Sequence, residues 1–180
     1  MRGALIVFEG LDRSGKSTQC LKLVEALNSK GITSMSMRFP DRSTTVGKVI
    51  NDYLAFGVEL SDEAVHLIFS ANRWELASKI KKLLNEGTTV IVDRYSYSGV
   101  AYSAAKKGMD MKWCKNPEIG LPKPDLVVYL QIGTEELAKR GGYGAERYEN
   151  VLFLEGVREN YSTLMDASWL VILESFIFVT

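Results

Sequence analysis

The chain has 180 residues, with 22 Lys and Arg against 22 Asp and Glu, and 46% of its residues are hydrophobic. This length suits a single domain, and such an apolar, evenly charged composition is not that of a disordered chain. The net charge of zero argues against a broad surface for nucleic acid, so no nucleic-acid partner is expected. Cys20 and Cys114 lie far apart, without a Cys/His motif, so neither a disulfide nor a structural zinc site is expected.

The apolar runs near the two ends predict neither a secretion signal nor a membrane span. The first run, 3–8, is cut off by Glu9, and the last, 169–179, contains Glu174. Both are shorter than the roughly 20 residues that cross a bilayer. We therefore expect a soluble intracellular protein with no membrane partner.

Short β-branched or aromatic runs alternate with longer segments that have helical spacing. The runs are 4–9, 34–39, 88–93, 126–131 and 169–173. This alternation predicts βαβ units, and uninterrupted apolar runs are typical of parallel strands covered on both faces. One long segment, 61–85, has apolar residues at three- and four-residue spacing and is predicted to be an amphipathic helix. The sequence thus predicts one α/β domain, 1–180, with a five-stranded parallel sheet and helices on both faces.

A phosphate-binding motif follows the first predicted strand. Residues 10–18, GLDRSGKST, match GxxxxGK[ST] and open a predicted helix, as in a P-loop NTPase fold. Lys16 is expected to reach the β- and γ-phosphates of ATP, and Ser17 to ligate Mg²⁺. The predicted ATP-binding residues of this loop are Arg13, Ser14, Gly15, Lys16, Ser17 and Thr18.

A carboxylate follows the third predicted strand. Asp93 ends the run 88–93, which is where P-loop proteins place the group that orients Mg²⁺ and its waters. The alternative is a carboxylate that caps the next helix. Beside a P-loop, the metal role is favoured.

A P-loop alone fits an ATPase, a GTPase switch or a small-molecule kinase. A guanine-reading NKxD motif is absent; Lys123 and Asp125 do not form one. Several arginines fall in or beside predicted loops or helix starts, which favours a substrate rich in phosphate. They are Arg13, Arg42, Arg73, Arg94, Arg140 and Arg147.

Six motifs in order carry a family resemblance that runs from residue 3 to about residue 150. They are GLDRSGKST at 10–18, RFPDRS at 38–43, FSANRWE at 69–75, DRY at 93–95, GLPKPD at 120–125 and ERYE at 146–149. Together they resemble the thymidylate kinase family, in its eukaryotic and poxvirus-like branch. The resemblance implies transfer of the ATP γ-phosphoryl to dTMP, giving dTDP, with Mg²⁺, by a homodimer. In eukaryotic relatives the enzyme is cytosolic and can enter the nucleus.

The resemblance also implies a role for each residue at a motif position. Arg42 and Arg94 would clamp the dTMP phosphate, and Asp12 would accept the 3′-hydroxyl. Phe69 would stack on the base, Arg73 would donate to its O4, and Tyr102 would crowd the ribose 2′ position. The full predicted dTMP site is Asp12, Phe39, Arg42, Phe69, Arg73, Arg94, Ser98, Gly99, Tyr102 and Tyr148.

For the transfer itself, the resemblance implies a small set of catalytic residues and a lid. Arg13 would stabilise charge on the phosphoryl group as it moves, beside Lys16, Arg94 and Asp93. Arg140 would flank the adenine of ATP. The lid would span about 133–154 and exclude water when closed.

Two departures from the family pattern keep a rival interpretation open. Leu154 stands where the family usually has Gln, and the family continues beyond 169–173 through an adenine-contacting loop and a final helix. The rival is a catalytically impaired nucleotide binder or dimerisation partner. A kinase for another nucleoside monophosphate is a third alternative, which Phe69 and Arg73 disfavour.

Overall fold

The computed structural model of the chain describes residues 1–133, 147–148 and 150–173. Most of the predicted lid, and Arg140 with it, lies outside the described residues.

Five parallel strands form one sheet in the order β2-β3-β1-β4-β5. The strands are β1 (Leu5–Glu9), β2 (Ser34–Arg38), β3 (Thr89–Asp93), β4 (Leu126–Gln131) and β5 (Trp169–Leu173). Each begins and ends within one residue of a predicted run. The predicted five-stranded parallel sheet is therefore confirmed.

Six α-helices and one 3₁₀ turn connect the described strands. The helices are α1 (Lys16–Ser29), α2 (Thr45–Leu54), α3 (Asp62–Asn85), α4 (Ser96–Ala104), α5 (Met111–Lys115) and α6 (Val151–Leu164), and the 3₁₀ turn is Asn116–Glu118. Helix α3 matches the predicted segment 61–85. Ser61 is its N-cap, and the Ser61 side chain accepts a hydrogen bond from the Ala64 N–H. Across residues 1–133, 147–148 and 150–173, every helix is too short or too polar to cross a membrane.

The helices cover both faces of the sheet, as predicted. On β3, Ile91 packs with Cys20 of α1 on one face, while Val90 and Val92 pack with Ile80 of α3 on the other. Helices α4 and α6 share the α3 face, where Tyr129 of β4 packs against them. The alternation of side chains thus buries both faces of the inner strands β1, β3 and β4, whereas Leu170, Val171 and Leu173 of the edge strand β5 are exposed.

The strand order brings two functional segments together. Strand β1 lies between β3 and β4, and Phe8 at its carboxyl end is in register with Asp93. The loop after β1 and the residues after β3 therefore meet at one edge of the sheet. Ligands of open parallel sheets bind at such carboxyl edges.

Candidate active site

The loop after β1 is folded as a phosphate cradle. Gly10 and Gly15 have positive φ angles of 141° and 91°, and a Cβ at Gly10 would lie 2.6 Å from the Leu130 carbonyl oxygen. Arg13, with φ at 62°, also adopts the left-handed conformation. Helix α1 begins at Lys16 without a side-chain cap, so its first N–H groups are directed toward the loop.

Lys16 is buried inside this cradle, with 5% of its surface exposed. Its Nζ donates to the Leu11 carbonyl oxygen at 2.6 Å and to Ser14 Oγ at 3.3 Å. Burial, followed by repulsion from Arg94, lowers the pKa of Lys16 to about 8, although neighbouring carboxylates oppose the shift. The ammonium thus has few partners here, and phosphate oxygens would supply more.

The two predicted Mg²⁺ ligands lie side by side. Ser17 Oγ donates to Asp93 Oδ2 at 2.5 Å, and Arg38 Nε lies 3.8 Å from the same carboxylate oxygen. Among the described residues, no group of three or more His, Cys, Asp or Glu could hold a metal. Mg²⁺ typically takes one or two protein oxygens and completes its shell with water and phosphate oxygens, so this donor pair fits it.

Arg94 joins the phosphate cradle to a pocket on the other side of β3. Its φ angle of 66° places it in the left-handed region, directly after Asp93. Its Nη2 donates to Asp12 Oδ1 at 2.7 Å and to Tyr102 Oη at 3.3 Å, and its Nη1 donates to Ser98 Oγ at 2.9 Å. The guanidinium is therefore held between the loop and helix α4.

Asp12 completes this cluster from within the phosphate cradle. Tyr102 donates its hydroxyl to Asp12 Oδ2 at 2.9 Å. Partial burial would raise the pKa of Asp12, but the charges of Arg94 and Lys16 and these hydrogen bonds outweigh it and lower the pKa to about 2. The carboxylate is thus ionised at neutral pH and able to accept a ligand hydroxyl.

All ten residues of the predicted dTMP site line a single pocket beside Arg94. Six residues that sequence reasoning did not assign complete its walls: Arg38, Pro40, Leu54, Val65, Tyr95 and Ser103. Phe69 lies at the wall while also packing against the core cluster around Ile50. The same side chain therefore serves the pocket wall and the hydrophobic core.

Arg73 reaches the pocket through a partner that the sequence did not reveal. It makes a bidentate ion pair with Glu118, in which Nε lies 2.8 Å from Oε2 and Nη2 contacts Oε1. A Cβ at Gly99 would lie 2.4 Å from Arg73 Nη2. Only glycine at this position leaves the guanidinium room beside helix α4.

Glu9 is a second functional carboxylate that sequence reasoning missed. It ends β1 fully buried, and its Oε1 accepts the N–H groups of Tyr95 and Ser98 at 2.9 and 3.1 Å. Its Oε2 accepts the hydroxyls of Ser98 and Tyr161 at 2.5 and 2.9 Å. Glu9 therefore caps helix α4 and holds Ser98, a partner of Arg94. The sequence does contain one sign of this role, since Glu9 is a charged residue at the end of an apolar strand.

Tyr148 is held against the pocket by a cluster of aromatic rings and one lysine. Its ring stacks on Phe153 at 5.3 Å, and its hydroxyl donates to Tyr53 Oη at 3.2 Å. Lys106 Nζ lies 5.2 Å from the centre of the Tyr148 ring and 2.9 Å from Asp62 Oδ1. Burial, followed by the Tyr53 contact, raises the pKa of Tyr148, so its hydroxyl stays neutral.

Two other residues, Arg147 of the predicted arginine set and His66, do not line the pocket. Arg147 pairs with Glu59 at 2.7 Å and packs on the Tyr53 ring, so it braces helix α2. His66 is buried and hydrogen-bonded to Ser103 Oγ and to the Cys114 carbonyl oxygen, both at 2.8 Å. Burial lowers the pKa of His66, so the ring is neutral and serves the packing between α3, α4 and α5.

The fold and the site define a class of protein: a P-loop phosphotransferase with an arginine-lined acceptor pocket across from its phosphate cradle. A family model described as thymidylate kinase matches residues 8–176. The chain belongs to the thymidylate kinase family.

Individual relatives agree with this assignment. The chain is 59% identical to a thymidylate kinase of Arabidopsis thaliana, over 95% of this chain and 65% of that protein. It is 52% identical to a human thymidylate kinase, over 91% of this chain and 77% of that protein. The solved structure of a Candida albicans thymidylate kinase matches with a TM-score of 0.88 and 44% identity, over 96% of this chain and 84% of that one.

The comparisons confirm the family, the fold class and the phosphotransferase class predicted from the sequence. None of them favours the catalytically impaired variant. The chain spans slightly less than two thirds of the Arabidopsis relative and about three quarters of the human one.

Proposed function

We propose that this chain transfers the γ-phosphoryl group of ATP to dTMP, giving dTDP and ADP. One observation carries the proposal: all ten residues of the predicted dTMP site line one pocket, which the Asp12–Arg94 pair joins to the phosphate cradle. The family and its relatives, named as thymidylate kinases, support the same reaction.

The acceptor, dTMP, is bound at its phosphate by charged side chains and at its base by stacking and hydrogen bonds. Arg42 and Arg94 supply two guanidiniums to the dTMP phosphate, and Asp12 accepts the 3′-hydroxyl. At the far end, Phe69 offers a ring for stacking, and Arg73 retains Nη1 donors for the base carbonyl O4 after pairing with Glu118. Cytosine carries an amino group at that position, so an arginine there selects against it.

The donor is held by the loop between Gly10 and Thr18. Backbone N–H groups around Ser14 and Gly15, with the amino end of α1, bind the phosphates, and Lys16 binds the β- and γ-phosphates. Arg13 is assigned to the charge of the transferring group. Arg140, from the predicted lid, is assigned to the adenine.

The transfer needs alignment and charge compensation rather than a base. A dTMP phosphate oxygen is already anionic, so it attacks the γ-phosphorus directly. The new P–O bond forms as the bond to the β–γ bridging oxygen breaks, and ADP leaves with that electron pair. Lys16, on the ATP side, and Arg94, on the dTMP side, offset the negative charge that moves from the γ-phosphate toward ADP during the transfer.

Ser17 and Asp93 are proposed to hold Mg²⁺. Their oxygens are hard donors 2.5 Å apart beside the cradle. When bound, Mg²⁺ neutralises phosphate charge and orients the β- and γ-phosphates. Asp93→Asn should raise the Mg²⁺ concentration needed for half-maximal rate, and an unchanged requirement would contradict this assignment.

A homodimer is proposed from the outer face of α3. Leu67 and Trp74 are exposed there and lie two turns apart on one side of the helix. Trp74 Nε1 donates to the carbonyl oxygen of Pro117, two residues before exposed Ile119. Sedimentation should give a dimer for the wild type and a monomer for Leu67→Glu. A monomeric wild type would refute the dimer.

The deciding experiment is a coupled assay of purified protein with Mg-ATP and dTMP, dUMP or dCMP. We expect turnover of dTMP, little turnover of dCMP, and loss of dTMP turnover in Arg42→Ala. Circular dichroism of each protein controls for folding. Folded wild-type protein that binds dTMP and ATP but turns over neither would favour the impaired-variant alternative instead.

A further inference from the structure

Arg38 takes no part in the proposed phosphoryl transfer, yet it occupies the carboxyl end of β2 beside the site. It is in register with Asp93 on the neighbouring strand. Its side chain is 68% exposed, in contrast to the buried side chain of Asp93. A guanidinium at this edge of the sheet can therefore move without disturbing the core.

The Arg38 side chain stands between two parts of the site. It lines the acceptor pocket together with Arg42 and Arg94. It also lines a second pocket with Ser17 and Asp93, the proposed metal ligands. Arg38 thus borders both the place of the acceptor phosphate and the place of the transferring group.

The contact that Arg38 makes with Asp93 is weak. Its Nε lies 3.8 Å from Asp93 Oδ2, beyond hydrogen-bond range, and that oxygen already accepts the Ser17 hydroxyl at 2.5 Å. Arg94, in contrast, donates to Asp12, Ser98 and Tyr102 and is fixed in place. An exposed ion pair of this length contributes little, so a stronger anion can displace it.

We propose that Arg38 is a third phosphate-binding arginine, which turns from Asp93 to the phosphate of the acceptor when the nucleotide enters the pocket. The inference rests on the proposed function and adds a specificity residue to it. A phosphate monoester carries up to two negative charges and accepts a bidentate guanidinium, whereas Asp93 carries one charge that Ser17 already shares. Arg38 therefore selects for the phosphorylated form of the acceptor.

The test is calorimetric titration of dTMP and of thymidine, without metal or ATP, into wild type and Arg38→Gln. Thymidine has the same base and sugar but lacks the phosphate. We expect Arg38→Gln to weaken dTMP about tenfold and thymidine less than twofold. Arg38→Lys, which keeps the charge but loses the fork, should recover part of the loss.

Lys79→Gln is the matched control, because Lys79 lines a neighbouring groove with Arg38 and Arg42 but not the acceptor pocket. It should leave both affinities unchanged. Equal weakening of dTMP and thymidine by Arg38→Gln, or no weakening of either, would overturn the role of Arg38 while leaving the proposed function in place. Wild-type protein that binds no dTMP would overturn both.

Discussion

Arg73 and Glu118 form a bidentate ion pair in which the two side chains are only 3% and 6% exposed. The pair joins the middle of α3 to the 3₁₀ turn at Asn116–Glu118, and Gly99 of α4 lies against the guanidinium. Three separate elements thus converge on the one arginine that is assigned to base recognition.

Glu118→Gln should destabilise the protein and weaken dTMP binding. The substitution keeps the side-chain shape but leaves the Arg73 charge buried without its counter-charge, which costs about 3 kcal/mol. Urea denaturation measures the loss, and the KM for dTMP should rise with it. The control is Glu59→Gln, because Glu59 also makes a bidentate contact, through Nη1 and Nη2 of Arg147, but its side chain is exposed. If Glu118→Gln lost no more unfolding free energy than Glu59→Gln, burial would not be what makes the Arg73–Glu118 pair important.

ATP affinity should fall as the pH rises above about 8. Only protonated Lys16 attracts phosphate, and its pKa of about 8 in the ligand-free protein lies below its ordinary value of 10.5. At pH 9 most of the protein must therefore take up a proton to bind ATP, which weakens binding by up to about tenfold per pH unit. Titration calorimetry between pH 7 and 9, in two buffers of different ionisation enthalpy, measures the uptake.

The control is Lys16→Arg, because an arginine side chain stays protonated between pH 7 and 9. If this variant binds ATP, it should do so without proton uptake. Wild-type binding without proton uptake at pH 9 would show that Lys16 is already fully protonated there, against its lowered pKa.

Glu9→Gln should destabilise the fold by about 2 kcal/mol, since an amide cannot accept all four hydrogen bonds that the buried carboxylate accepts. Tyr161→Phe, which removes one of those four donors, should cost about 1 kcal/mol. The control is Glu25→Gln on the exposed side of α1, which should change stability by less than about 0.5 kcal/mol. Urea denaturation measures the free energy of unfolding of the three variants. If Glu9→Gln were as stable as Glu25→Gln, the capping role of Glu9 would be refuted.

Lys106→Met should raise the KM for dTMP and leave the KM for ATP unchanged. The Lys106 side chain is 9% exposed and contacts Tyr148, Tyr53 and Asp62, so its loss leaves the Tyr148 wall of the acceptor pocket less firmly held. The neighbouring Lys107, which is exposed, supplies the control variant Lys107→Met. Equal changes in both KM values would mean that Lys106 supports the whole fold rather than this wall.

Local structure and the phosphate cradle can be predicted from short stretches of the chain. Strand positions, the long helix α3 and the loop Gly10–Thr18 all depend on residues close together in the chain, whose periodicity or spacing is visible without the fold. The residues of the acceptor pocket could be predicted only from the resemblance to the family motifs. Periodicity alone would place Phe69 in the core, and the structure shows that it serves the pocket wall and the core together.

The side chains that hold the acceptor pocket in shape, in contrast, are recognisable only in the folded chain. Glu118 lies 45 residues from Arg73, and no local pattern marks it as a partner. Arg38 meets Asp93, and Lys106 meets Tyr148, only because the strand order and the helix packing bring distant segments together. Ion pairs and aromatic contacts depend on distances of a few ångströms, and those distances exist only once the chain has folded.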